Sequence, residues 1–208
     1  MLGLGRCPLS FSTQLQYLYG NAFSYCLVDP NAGRNATSKL VFGSRQNLLG
    51  RQPMNFTSFV AKRPNPDETF YYLQIEPVSI IKEAFAKKVR GYPVVEDERF
   101  GLRYGASGKE ELDMPEFRIT FDDGAEWNFP AENVFIRFQP EGIVCLAILR
   151  IDNDRFSIIG NYQQKNFHVL YDAEESRLGF TAEMCRPLTY CLSINSLYLI
   201  FSPEVFFY

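Results

Sequence analysis

The chain holds one histidine, His168, so any Ser–His–Asp or Cys–His nucleophile would have to be built on it. That residue falls in the alternating stretch NFHVLYD, and no G-x-S-x-G elbow occurs anywhere. His168 is therefore read as a structural or surface residue. The five cysteines, Cys7, Cys26, Cys145, Cys185 and Cys191, include no C-x-x-C, and with a single histidine they match no zinc pattern. No metal site and no cofactor are expected, and the odd count leaves at least one thiol without an internal partner. Two sequons, Asn35-Ala36-Thr37 and Asn55-Phe56-Thr57, make Asn35 and Asn55 candidate glycosylation sites. Together with the cysteines they lean toward a secretory ancestry.

A mostly β framework must position these side chains. Aromatic residues make up 15% of the chain, a composition that favours strands, and the 46% hydrophobic content suffices for a packed core. A net charge of −3 argues against nucleic acid as a partner. One helix is expected over 8–19, capped by Ser10 with Phe11, Leu15 and Leu18 on one face, and a second over 78–90. Strands are expected at 22–28, 39–43, 55–61 and 69–75, in ENVFIRF, and in GIVCLAIL (142–149), whose unbroken apolar run suits burial on both faces. EFRITFDDGAEWNFP reads as a hairpin turning at Asp122-Asp123-Gly124, and FSIIGNYQQKNFHVLYDAEESRLGFTA as three short strands. The start, MLGLGRCPLSF, lacks the basic and apolar regions of a signal peptide and reads like the middle of a domain. Asn195, Pro203 and Glu204 interrupt the apolar tail, so no membrane span is expected.

GLGRCPLSFSTQL (3–15), FSYCLV (23–28), KLVFG (39–43), FTSF, TFYYLQI and SIIGNYQQKNFHVLYDAEESRLGF (157–180) follow one another in an order that resembles the pepsin-like aspartic protease superfamily. The match is to its plant nepenthesin-like branch, which also contains xylanase-inhibitor-type proteins. The resemblance implies an all-β fold with minor α, here an incomplete bilobal pepsin-like (acid protease) β-barrel fold. It divides the chain into the rear of an N-terminal lobe with inter-lobe strands (1–65), a truncated C-terminal lobe (66–185) and an unrelated apolar tail (186–208). It also implies aspartic endopeptidase chemistry on peptide or protein substrates, and a secretory or extracellular route.

That chemistry needs two carboxylates, one from each lobe, each in a D-T-G or D-S-G turn, sharing a proton so that they can activate a water. No D-[ST]-G exists in this chain. Asp29 precedes Pro30; Asp67, Asp97 and Asp113 sit in charged loops; Asp152, Asp154 and Asp172 lack the context; Asp122 and Asp123 belong to a hairpin turn. In the family a strand like FYYLQI leads through a hairpin and the second D-[ST]-G turn before a helix like SIIKEAFAKKV. Here strand meets helix across only Glu76, Pro77, Val78 and Ser79, as if the intervening segment were missing near Ile75–Glu76. The first catalytic Asp would precede Met1. Arg103 stands near the place where the family has a cysteine, which would leave Cys145 without its expected partner, and Cys7 replaces a family glycine. Cys26 and Cys185 occupy family-like positions and are the expected disulfide. The chain is thus expected to have no catalytic residues and no peptidase activity. The alternatives are a non-catalytic, inhibitor-like binding protein of the same fold, or a truncated product without a function of its own.

Overall fold

The computed structural model describes residues 2–32, 36–49, 52–61, 69–75, 81–95, 102–109, 111–148, 157–185 and 197–201. Asn35, Cys191, Asp67, Asp97, Asp152, Asp154 and the Glu76–Ser79 junction lie outside these residues. In chain order the elements are α1 (Phe11–Gln14), α2 (Gln16–Tyr19), β1 (Ala22–Cys26), β2 (Ser38–Phe42), α3 (Arg45–Leu48), β3 (Asn55–Ser58), α4 (Ile81–Lys88), β4 (Val94–Val95) and β5 (Arg103–Gly105). They continue as β6 (Phe117–Thr120), β7 (Glu126–Phe129), α5 (Ala131–Val134), β8 (Phe135–Phe138), β9 (Ile143–Leu146), α6 (Asn161–Gln164), β10 (Phe167–Asp172), β11 (Arg177–Ala182) and β12 (Leu197–Phe201). The chain is mostly β with short helices, as expected. No sheet among the described residues closes into a barrel, and two compact units form.

Unit 1 comprises residues 1–74, 121–125 and 164–208 and is built on an antiparallel sheet ordered β12-β2-β1-β10-β11-β3. β1 lies between β2 and β10, and all five of its residues are buried. Phe23 faces Tyr171 across the β1–β10 ladder and stacks on it at 4.8 Å. Leu40, Phe42, Val169, Leu170 and Phe180 are almost wholly shielded from solvent. Burying an aliphatic or aromatic side chain of this kind contributes roughly 1.5–3 kcal/mol. At Gly179 on β11 a Cβ would come within 2.5 Å of the Met54 sulfur and 2.8 Å of the Phe56 ring, so a larger residue would have to displace those side chains. The apolar tail, which matched nothing in the family, supplies β12 as an edge strand on β2, with Leu197 opposite Phe42 and Phe201 opposite Ser38.

Unit 2 comprises residues 75–120 and 126–163. It holds the sheet β4-β5-β9-β8 and the β6–β7 hairpin. Its core gathers Tyr104, Trp127, Phe129, Val134, Val144 and Leu146. Trp127 stacks on Phe129 at 4.9 Å, and Phe85 of α4 meets Phe135 edge-on at 5.5 Å. The buried Asn133 amide donates to the Gln163 carbonyl (2.7 Å), the Gln163 side chain donates to the Ala147 carbonyl (3.1 Å), and the Tyr162 hydroxyl donates to the Phe135 carbonyl (2.9 Å). These bonds satisfy backbone carbonyls of α6, of the segment after β9 and of the start of β8.

Several expectations need correction. The helix over 8–19 is two single turns broken at Leu15. Ser10 does cap the first by accepting from the Thr13 amide, but Leu18 is 58% exposed and does not share a buried face with Phe11. TFYYLQI is not a regular strand: it joins its neighbours by single links such as the Phe59–Leu73 bridge and the Val60 amide to the Tyr72 carbonyl (2.8 Å). Of the three short strands expected in FSIIGNYQQKNFHVLYDAEESRLGFTA, two form among the described residues, β10 and β11, and NYQQ is a helical turn, α6. The first half of ENVFIRF is helical, and the strand within GIVCLAIL is limited to Ile143–Leu146.

Candidate functional site

An aspartic dyad needs two carboxylates close enough to share a proton, so the partners that hold each Asp decide what it can do. Asp29, just after β1, accepts from the Lys165 ammonium at 2.8 Å and from the Asn31 backbone amide at 2.8 Å. Lys165 follows α6 and its side chain is 3% exposed. Burial alone would raise the Asp29 pKa, but the Lys165 hydrogen bond and charge and the Asn31 amide more than offset it and hold the carboxyl below its ordinary value. Asp123, in the β6–β7 turn, accepts from the Thr57 hydroxyl (3.1 and 3.0 Å), the Ser58 amide (2.8 Å) and the Ala125 amide (3.3 Å). Desolvation, the largest single effect, would raise its pKa, but these donors together more than offset it and hold the carboxyl below its ordinary value. Asp172, ending β10, is 1% exposed and lies 3.2 Å from the Arg177 guanidinium and 3.7 Å from that of Arg45. Each of these three carboxylates is thus engaged by a cation or by N–H donors.

Unit 1 also contains a cleft of about 530 Å³. One wall is the Phe59 ring, which meets the Tyr71 ring at 5.0 Å. Burial pushes the Tyr71 phenol up to about 12, so it is a neutral hydroxyl at physiological pH. Arg6 lies with its guanidinium carbon 5.9 Å from the Phe59 ring centre and donates one long bond, 3.5 Å, to the Val60 carbonyl. Thr13, Asn21 and Ser176 add to the polar lining, Ser176 in the left-handed conformation at φ 52°. Deeper in the same sheet, the Tyr25 hydroxyl donates to Gln164 and approaches the Tyr171 hydroxyl at 3.2 Å, and burial raises both phenols.

The residues singled out from sequence fall as follows. Cys26 and Cys185 are bonded to each other, with Cα atoms 5.6 Å apart, closing β1 onto the end of β11's chain. Asn55 is exposed on the edge strand β3. His168 is largely buried on β10, with its Nδ1 3.4 Å from Glu183. The nearby imidazole, above all, lowers the Glu183 pKa. Arg103 lies directly opposite Cys145 in the β5–β9 ladder, where a pairing cysteine had been expected. Among the described residues no group of three or more His, Cys, Asp or Glu side chains could hold a metal ion. Sequence reasoning missed Lys165, Arg45, Arg177 and the cleft. Their partners are distant in the chain, and no local motif marks them.

The fold of unit 1 is built on a six-stranded sheet whose two central strands are β1 and β10, the latter formed by FHVLYD. Solved structures share it: conglutin gamma, a basic 7S globulin from lupine seeds, superposes with a TM-score of 0.69 at 21% identity, covering 88% of this chain and 56% of that one. The aspartic proteinase from Irpex lacteus does so with a TM-score of 0.54 at 14% identity, covering 85% and 61%. The xylanase inhibitor C-terminal family profile matches residues 68–182 and the xylanase inhibitor N-terminal profile residues 1–44. The chain belongs to this xylanase-inhibitor-type branch of the pepsin-like family. Curated relatives include aspartyl protease family protein 2 of Arabidopsis thaliana, 28% identical over 230 residues, covering 89% of this chain and 45% of the relative. Aspartic proteinase nepenthesin-1 of Nepenthes gracilis is 26% identical over 229 residues, covering 89% and 50%. The chain spans about half the length of these relatives.

Proposed function

We propose that this 208-residue chain is a non-hydrolysing member of its family, one that keeps the sheet and has no carboxylate dyad. The observation that carries this reading is that no D-T-G or D-S-G occurs in its sequence. The Asp-Gly turn it does have, at Asp123-Gly124, spends its carboxylate on Thr57, Ser58 and Ala125. Supporting it, Asp29 and Asp172 are tied to Lys165 and to Arg45 and Arg177. On this reading residues 1–65 are the rear of an N-terminal lobe with inter-lobe strands, 66–185 a shortened C-terminal lobe, and the segment that bears the second catalytic Asp in relatives is missing near Ile75–Glu76. Peptides or proteins are its partners by family. The secretory route fits the Cys26–Cys185 bond and a sequon at the exposed Asn55.

Purified chain assayed on quenched-fluorescence peptides from acid to neutral pH should show no pepstatin-sensitive cleavage. Pepstatin-sensitive turnover that co-purifies with the 208-residue protein would overturn the proposal. Full-length transcripts read across the LQI–EPVSII junction test the missing segment separately. An inserted D-S-G segment in every transcript would make the 208-residue form an incomplete version of an ordinary peptidase.

A second reading, a peptide-binding protein, is favoured by the unit 1 cleft, whose polar and aromatic lining does not depend on a dyad.

A further inference from the structure

Among the described residues, the cleft in unit 1 is lined by one cation and no carboxylate. Arg6 has five N–H donors and makes a single long hydrogen bond, to the Val60 carbonyl at 3.5 Å. Among the described residues it has no acidic partner. The Asn21 side-chain amide and the Ser176 hydroxyl also make no hydrogen bond among the described residues, although both line the cleft. Glu174 accepts from the Asn21 backbone amide at 3.3 Å but is not part of the lining. The protein as a whole carries −3, so a cleft with an uncompensated positive charge runs against its overall balance.

The chemistry of an occupant follows from this inventory. A planar guanidinium with unused donors presents a fork that matches a carboxylate in two parallel hydrogen bonds. One positive charge, with no lysine in the lining, suits a monoanion better than a doubly charged phosphate. Beside Arg6 the Phe59 and Tyr71 rings form an apolar wall, so the body that carries the carboxylate is apolar or aromatic. About 530 Å³ lies within the usual range for small-ligand sites, roughly 300–1,000 Å³, and is room for one or two residues of a peptide. Asn21 and Ser176 are placed to bond a main-chain amide.

From these observations we infer that the cleft captures the free C-terminal carboxylate of a peptide ending in an apolar or aromatic residue, with Arg6 as the anion-binding group. This goes beyond the non-hydrolysing reading and does not rest on it: the site would bind whether or not the chain cleaves peptides, and the cleavage assay contains no readout of Arg6.

The test is calorimetric titration of the 208-residue protein with N-acetyl-Ala-Phe and with the same dipeptide as its C-terminal amide, each at low and high salt. A charge-assisted hydrogen bond contributes about 1.5–3 kcal/mol. The acid should therefore bind about tenfold or more tighter than the amide. Raising the salt should narrow that ratio in the wild-type protein. Arg6→Gln should bring the ratio close to one, and Arg6→Lys should keep part of it, with thermal melts of both variants followed by circular dichroism. The salt titration of wild-type protein keeps the test decisive if a variant fails to fold. Equal binding of acid and amide, binding of neither at millimolar concentration, an acid preference that survives Arg6→Gln, or tighter binding of inorganic phosphate than of the acid would each overturn the inference.

Discussion

Removing the Asp29 carboxylate should be one of the more damaging single changes to unit 1. Its partner, Lys165, is 3% exposed at the side chain and held at 2.8 Å. Breaking a buried pair from one side leaves a charge that water cannot reach, at a cost of about 3–5 kcal/mol. Asp29 itself is 20% exposed, so some solvent enters when it is truncated, and the lower end applies: about 2–3 kcal/mol for Asp29→Ala. For a chain of this size that corresponds to a melting shift on the order of 5–10 °C. Urea unfolding followed by far-ultraviolet circular dichroism measures it. A pH series adds an independent check. The folded-state pKa of Asp29 is lowered, so its contribution is fully present above the unfolded value of about 3.9 and is lost as pH falls through the folded value. The gap between wild type and Asp29→Ala should therefore close in acid. The double change Asp29→Leu with Lys165→Met should recover most of the loss, because it removes both charges. A difference under about 0.5 kcal/mol at neutral pH, or one that persists unchanged in strong acid, would refute the assignment.

Three further outcomes are expected. Replacing Cys26 and Cys185 by serine opens a loop of 159 residues and should cost about 3–5 kcal/mol on the chain-entropy account, read as a large fall in melting temperature that reductant reproduces in the wild type. Asp123→Ala strands the Thr57 hydroxyl, a residue 2% exposed, and should destabilise by about 1–2 kcal/mol; in a Thr57→Val background the same change should cost less, and equal costs in both backgrounds would exclude the contact. In alkali, ultraviolet difference titration should show Tyr71 ionising only near pH 12, with stability falling from about pH 10 upward because its folded pKa is the higher one; a Tyr71→Phe variant that removes a component titrating at the ordinary phenol value would contradict this.

The elements that were legible in the sequence are those whose signals are local. The β6–β7 hairpin announced itself because FRITF and AEWNF alternate around an Asp-Gly turn, and Phe117–Phe129 to Thr120–Glu126 pair in that register. The β10–β11 hairpin did the same around DAEESR. Aromatic and β-branched composition misled at TFYYLQI, where only single bridges form and Phe70 is 61% exposed. Short polar NYQQ, hidden inside an otherwise strand-like stretch, became α6. The candidate site was illegible for a different reason. Arg6, Asn21, Phe59, Tyr71 and Ser176 come from five separate places in the chain, and each alone is an ordinary turn or strand residue. Lys165 and Asp172 likewise carry no motif. Their meaning lies in partners, Asp29 for one and Arg45 and Arg177 for the other, that only the strand order supplies.

The use made of acids here bears on the conditions under which the chain stays folded. An aspartic dyad works by holding one carboxyl protonated beside an ionised one, which suits acidic surroundings. In this chain the acids do the opposite task. Asp29 and Asp123 are held ionised by Lys165 and by backbone and hydroxyl donors, and Glu183 by His168. All three folded pKa values are lowered, so each contributes stability above the ordinary carboxylate range and loses it as pH falls. Maximum stability should lie near neutrality, with melting temperature dropping steadily below about pH 4. Asp123 is exposed and adds little of this, so most of the acid sensitivity should track Asp29 and Glu183. A chain most stable in the acid range, where a working dyad would operate, would show that its carboxylates are not the anchors described and would reopen the question of what chemistry they serve.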